Sequence, residues 1–227
     1  MADLLTLHRP ILYSFRRCPY AMRARMALRV SGQTCELREV VLSNKPAEMI
    51  AASLKATVPV LVDTDGRVID ESYDIMTWAL SRCDPEGWME PSGVDVADMQ
   101  KVIETIDGPF KHHLDRYKYA DRYAHENDGA GVEPVVHRDA VMLILQSLED
   151  RLADHDFLFG VHRSLADVAT APFVRQFARV DVSWFSAQPL PRLQKWLADF
   201  VGSELFVESM KKYPPWQSGE PGVHFPD

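Results

Sequence analysis

The chain has 227 residues, 46% apolar and 26% charged, with 33 Asp and Glu against 25 Lys and Arg for a net charge of −8. That length builds one large domain or two small ones, and the composition excludes a disordered or fibrous chain. The acidic balance lacks the basic footprint of a nucleic-acid binder, and no apolar run reaches the ~20 residues of a membrane span.

The charge is unevenly placed. Residues 1–82 hold 11 Lys and Arg against 9 Asp and Glu, a net of +2; the remainder holds 14 against 24, a net of −10. Such asymmetry points to two domains with different tasks. Three cysteines, Cys18, Cys35 and Cys83, are too few and too odd in number for a disulfide framework, which fits a reducing compartment. Met1 to Arg9 lacks the apolar stretch of a signal peptide, so a cytoplasmic location is expected.

In chain order, Ile11 to Phe15 reads as a short buried strand. Pro19 suits the first position of a helix, where its fixed φ fits and its missing N–H is not needed. Cys18 is then the N-cap. Met22 to Val30 is built of good helix formers and Gly32 ends the helix. A thiol so placed sits where helix N–H groups point outward, beside Arg16 and Arg17. These features favour the thiolate, the reactive form. Cys35 to Val41 reads as a second strand, with Cys35 a small hydrophobe in its core. Ser43 to Pro46 is turn chemistry opening a short helix to Leu54, and by spacing alone Lys45 is a solvated surface charge. Pro59 begins a third strand, where its missing donor is tolerated. Thr64-Asp65-Gly66 turns into a returning strand at Val68-Ile69. Glu71-Ser72 opens a helix from Tyr73 to Ser81, with Ser72 as its N-cap. Residues 1–82 thus read as β-α-β-α-β-β-α, an α/β thioredoxin-like domain.

Residues 83–93 have linker composition, and residues 94–227 read as an all-helical domain. Val96, Met99, Val102, Ile103 and Ile106 form an amphipathic stripe that Gly108-Pro109 should kink or break. Val135 to Asp154 carries Val141, Leu145, Leu148 and Leu152 on one face. Ser164 to Asp167 is a capping-box pattern, so Asp167 is a cap and not a catalytic acid. Pro189 to Phe200 is a last helix, and the Pro- and Gly-rich tail from Tyr213 should lack regular structure.

The chemistry is that of one reactive thiol. A dithiol oxidoreductase needs a resolving cysteine three residues on, and that position is Ala21. A single thiol can still attack a disulfide if an external thiol resolves the product. A metal site is not expected: the eight His are scattered, and the adjacent His112 and His113 should point apart on a helix. No P-loop or dinucleotide glycine pattern occurs.

The segments Tyr-Ser-Phe-Arg-Arg-Cys-Pro-Tyr, Ser-Asn-Lys-Pro, Thr-Val-Pro-Val-Leu, Asp-Glu-Ser and Ser-Leu-Ala-Asp, in this order, resemble the cytosolic glutathione transferase family over nearly the whole chain. Cys-Pro-Tyr at the first helix looks most like the omega class and its cysteine-type bacterial relatives. The resemblance implies that Cys18 faces the sulfur of glutathione, the co-substrate, and that Val58, before a cis Pro59, pairs its backbone with the cysteinyl unit. It implies Glu71 and Ser72 at the γ-glutamyl end, and Lys45, now a ligand, at the glycine carboxylate. It also implies a homodimer, which the opposite domain charges suit, and a second-substrate pocket between the domains. Phe15, Tyr20, Tyr117 and Trp184 are candidates to line that pocket. The expected activity is glutathione-dependent thiol transfer or reduction through Cys18, in a detoxifying role, on a small disulfide or electrophile. The alternatives are conjugation to electrophiles, with Tyr13 or Ser14 stabilising the glutathione thiolate, and a non-catalytic ligand- or partner-binding module.

Overall fold

The computed structural model describes residues 8–227, which excludes most of the stretch read above for a signal peptide. The chain divides into two compact units: residues 8–86 with Gly202–Asp227, and Gly87–Val201. The first unit is not the N-terminal segment alone. The last 26 residues, assigned above to the helical domain, group with it.

Its centre is a five-stranded mixed sheet in the order β4-β3-β1-β2-β5. Strand β1 (Ile11–Ser14) runs parallel to β2 (Cys35–Glu39) and antiparallel to β3 (Val60–Val62), which pairs with β4 (Val68–Ile69). The parallel pair is joined by α1 (Pro19–Val30), because two parallel strands need a crossover. Small Ala21, Ala24 and Ala27 are fully buried and recur at helical spacing, and α1 packs on α3 (Ser72–Leu80). Gly32 at φ +66° lets the amides of Gly32 and Gln33 turn back to Arg29 O and Leu28 O, closing α1 as a Schellman cap. A short α2 (Ala47–Ala52) precedes β3. The β3–β4 turn is fastened to α3, since Asp63 accepts from Trp78 Nε1 at 2.9 Å and Arg82 Nη2 at 3.1 Å.

Two expectations are corrected here. The tail is not irregular throughout: β5 (Val223–Phe225) pairs antiparallel with β2. It can lie there because Gly222 has no side chain; a Cβ would stand 2.6 Å from Glu36 Cγ and 2.7 Å from Leu37 O. The N-cap of α3 is Glu71 rather than Ser72. Ser72 is the first helical residue, its hydroxyl occupied by Arg23 Nε at 2.9 Å, so a partner on another helix overrides its local capping preference.

The second unit is helical: α4 (Val96–Thr105), α5 (Lys111–Lys118), α6 (Pro134–Arg151), α7 (Leu165–Ala178), α8 (Val182–Ser186) and most of α9 (Pro191–Gly202). Helix α10 (Glu204–Ser209) belongs to the first unit. Gly108-Pro109 does not break the chain between α4 and α5; it lies in a π-helical turn, Ile106–Phe110, which absorbs the proline. Trp88, inside the expected linker, is fully buried, and its carbonyl accepts from Leu165 N. Asp167 is a buried cap, as expected: it accepts from the amides of Leu158 and Ser164, from Ser164 Oγ and from Trp196 Nε1, at 2.6–2.9 Å. Among the described residues no helix is long and apolar enough to cross a membrane.

Candidate active site

Strand β1 ends at Ser14, and a turn in which Cys18 N donates to Phe15 O at 2.9 Å delivers Cys18 to the head of α1. Cys18 has extended backbone (φ −77°, ψ 123°), and its carbonyl accepts the first helical bond from Met22 N. It is the N-cap by position, yet its side chain caps nothing. Instead Sγ donates to the carbonyl of Val58 at 3.5 Å. The Val58–Pro59 bond is cis. Cys18, Phe15 and Val58 thus pack in one cluster with Ile11, Tyr13, Val40, Met49 and Val60.

The three cysteines differ sharply. Cys35 is fully buried, and burial pushes its thiol up to about 12, so it stays protonated and inert. Cys83 is exposed. Cys18 alone combines partial access with a helix N-terminus.

The turn carrying Cys18 is held from beneath. The amide of Arg16 donates to Glu39 Oε1 at 2.7 Å, and Arg16 Nη1 reaches Met210 O at 3.4 Å. Burial pushes the Glu39 carboxyl up, against the opposing pull of the Arg16 amide and of Arg25. Arg25 Nη1 lies 3.8 Å from Glu39 Oε2, with no part of the Arg25 side chain exposed. Arg25 also donates to Lys211 O at 3.2 Å, and the Tyr213 and Phe225 rings lie 5.6 Å from its guanidinium. Neither Glu39 nor Arg25 was singled out from sequence. A signal existed for Arg25: it falls at the third position of the buried stripe Ala21, Ala24, Arg25, Leu28, where an apolar residue belongs.

The other expected residues are placed as follows. Ser72 is buried and tied to Arg23, whose guanidinium lies 5.2 Å from the Tyr20 ring, so α1 and α3 meet at their N-terminal ends. Glu71 is exposed and accepts from Lys55 Nζ at 2.5 Å; Lys55 also reaches Asp70 at 3.1 Å. Lys55 is a third residue that the sequence pattern does not single out, because it lies 16 positions from its partner. Lys45 is half-buried beyond the bridge between Val41 and Asn44. Phe15 is half-buried under Arg17, 5.4 Å away. Tyr117 and Trp184 belong to the second unit, where both pack on Phe177 at 5.4 and 6.1 Å.

Tyr13 and Ser14, the alternative hydroxyls, face opposite sides of the sheet because side chains alternate along a strand. Tyr13 is 2% exposed, and its oxygen accepts from Arg38 Nη1 at 2.8 Å. Burial raises its pKa, with Arg38 pulling the other way. Ser14 is fully buried, level with Glu39 in the β1–β2 register, and its hydroxyl has no partner among the described residues.

His112 and His113 do not point apart as expected. Their rings stand 4.9 Å centre to centre, and the His137 ring lies 5.0 Å from that of His113. The His113 ring turns toward α6, where its Nδ1 meets that of His137, while the exposed His112 ring lies 6.0 Å from the His137 ring.

Residues 12–87 match the family described as "Glutathione S-transferase, N-terminal domain" and residues 109–199 its C-terminal domain. "Glutathione S-transferase omega-1" of Rattus norvegicus is 25% identical over 204 residues, covering 87% of this chain and 80% of the rat protein. "Probable glutathione S-transferase DHAR1, cytosolic" of Oryza sativa subsp. japonica is 29% identical over 156 residues, 68% of this chain and 64% of that one. Among solved structures, a glutathione transferase family member from Pseudomonas fluorescens with two glutathione bound superposes with a TM-score of 0.74. It is 16% identical and covers 92% of this chain and 94% of its own. A glutathione transferase from Phanerochaete chrysosporium in complex with oxidized glutathione gives the same TM-score at 16% identity, covering 88% and 94%.

Proposed function

Because the chain belongs to the glutathione S-transferase family, we propose that it uses glutathione as co-substrate for thiol transfer and disulfide reduction through Cys18. The observation that carries this reading is the placement of the Cys18 sulfur, off the N-terminus of α1 and 3.5 Å from the Val58 carbonyl. A helix N-terminus stabilises the thiolate. The Val58 backbone beside it offers an extended peptide its main-chain partners, and the cysteinyl unit of glutathione fits that role. Glu71 takes the γ-glutamyl amine, Ser72 and the N-terminus of α3 its carboxylate, and Lys45 the glycine carboxylate.

The reaction divides into two exchanges. The Cys18 thiolate attacks the glutathione sulfur of a mixed disulfide; the new bond joins Cys18 to glutathione, and the other sulfur leaves as a thiolate. A second glutathione thiolate then attacks that adduct, releasing oxidized glutathione and restoring the Cys18 thiolate. Each turnover consumes one free glutathione: the substrate sulfur leaves reduced, and the glutathione it carried leaves joined to the second as oxidized glutathione. The external thiol is required because the position of a resolving cysteine holds Ala21, which is fully buried. The occupied Tyr13 oxygen and the enclosed Ser14 hydroxyl speak against a conjugating role for either.

The test is Cys18→Ser. The variant should lose disulfide reduction and keep its affinity for glutathione, and mass spectrometry of the wild type after oxidized-glutathione treatment should map one glutathione adduct to Cys18. If rates survive the substitution, no adduct forms, and Tyr13→Phe or Ser14→Ala abolishes activity instead, the cysteine mechanism is wrong.

A further inference from the structure

We propose that His112 and His113 of α5 and His137 of α6 form a binding site for a divalent d-block cation of the zinc type. One nitrogen from each ring lies within 4.8 Å of the others. The shortest separation is 2.8 Å, between Nδ1 of His113 and Nδ1 of His137. Two imidazole nitrogens at that distance require one to donate and the other to accept, so a lone pair and a proton occupy the space between the helices. A tetrahedral ion with Zn–N bonds of about 2.0–2.1 Å needs nitrogens about 3.3 Å apart. The observed separations bracket that value. Closing the site needs the His113–His137 pair to open by roughly half an ångström and the exposed His112 ring to turn inward.

No proton need be lost. His113 and His137 each carry one N–H when neutral; the ring that accepts at Nδ1 already holds its proton on Nε2, and binding through both Nδ1 atoms shifts only the donor ring's proton to Nε2. Arg116 Nη1 stands 3.0 Å from His112 Nδ1, so an ion bound to that atom displaces the guanidinium. The cation of Arg116 does not face the ion bare: Glu126 holds it by two bonds, Nε to Oε2 at 2.9 Å and Nη2 to Oε1 at 2.5 Å. An all-imidazole donor set suits zinc, copper or nickel and not the oxygen-seeking magnesium or calcium. Three protein ligands leave a fourth position for water, the stoichiometry of an open zinc site. Because α5 and α6 pack together through this region, the ion also clips the two helices.

Calorimetric titration of the full chain with zinc sulfate tests the site. Thiols can bind zinc as well, so the readout is a difference. The double variant His113→Gln, His137→Gln should bind one ion fewer per chain than the wild type, and His112→Gln should weaken that ion by more than about 10-fold. His162→Gln, outside the cluster, should bind as the wild type does. Circular dichroism and the metal-free unfolding midpoint verify that the glutamine variants fold. Zinc should raise the melting temperature of the wild type more than that of the double variant. An unchanged stoichiometry in a folded double variant overturns the proposal, as does failure of the wild type to bind zinc.

Discussion

Glu39→Ala should destabilise the first unit by about 3–5 kcal/mol, the cost of leaving a buried charge without its partner. At 3.8 Å, the Arg25–Glu39 attraction amounts to about 4 kcal/mol at an effective dielectric of 20. Desolvation offsets much of this, because burial raises the Glu39 pKa despite two stabilising neighbours. The pair therefore contributes little net stability, yet removing one member is costly. Arg25 stays charged and its side chain has no exposure. Alanine also removes the acceptor of the Arg16 amide, a charge-assisted bond. Glu39→Gln keeps that acceptor and should lose less. Arg25→Met retains the packing of the stem, so the double variant Glu39→Ala, Arg25→Met should fall short of additivity by roughly 1–3 kcal/mol. Urea unfolding followed by circular dichroism supplies the cycle, and hydrogen exchange across residues 12–18 localises the loss to the turn that carries Cys18. A Glu39→Ala variant within about 1 kcal/mol of the wild type, or an additive cycle, refutes the reasoning.

Two further outcomes are expected. Glu71→Ala should weaken glutathione binding by roughly 10- to 100-fold, the loss of one charge-assisted pair; calorimetry showing unchanged affinity in a folded variant removes Glu71 from the site. Asp227 is held down to about 2, chiefly by its bond from Lys211 and also by that from Tyr213. A depressed carboxylate stabilises the fold above its unfolded value, near ~3.9, and loses that contribution as pH falls toward the folded value. The stability difference between wild type and Asp227→Asn, measured by urea unfolding, should be full above about pH 4 and vanish near pH 2.

What was legible in the sequence follows from the range of each interaction. Cys18-Pro19, Gly32 and Ser164-Asp167 are helix ends, written within four or five residues, and all three stand where the local code puts them. Ser72 carries the same code but stands one position inside its helix, because the competing partner, Arg23, is 49 residues away. The β5 strand is three residues between glycine and proline, too short to show a period. It is specified by its pairing with Cys35–Leu37, some 190 residues earlier. His137 could not be joined to His112 and His113 for the same reason: helical spacing orders residues along one helix and is silent about which two helices meet.

The same distinction explains why the proposed nucleophile is more legible in the sequence than its support. Cys18 is set by its own turn and helix, but the turn rests on a polar layer that only the folded chain assembles. Arg16 spans from Glu39 on β2 to the Met210 carbonyl, just beyond α10, and Trp216 N closes on the Glu39 carbonyl at 2.8 Å. Arg25 beneath them is tolerable without water because aromatic faces and a carbonyl from the C-terminal segment replace part of its hydration. A charge at that stripe position would be a defect in α1 taken alone. It becomes a joint once residues 202–227 return to the sheet. The geometry at Cys18 therefore depends on contacts made by the far end of the chain.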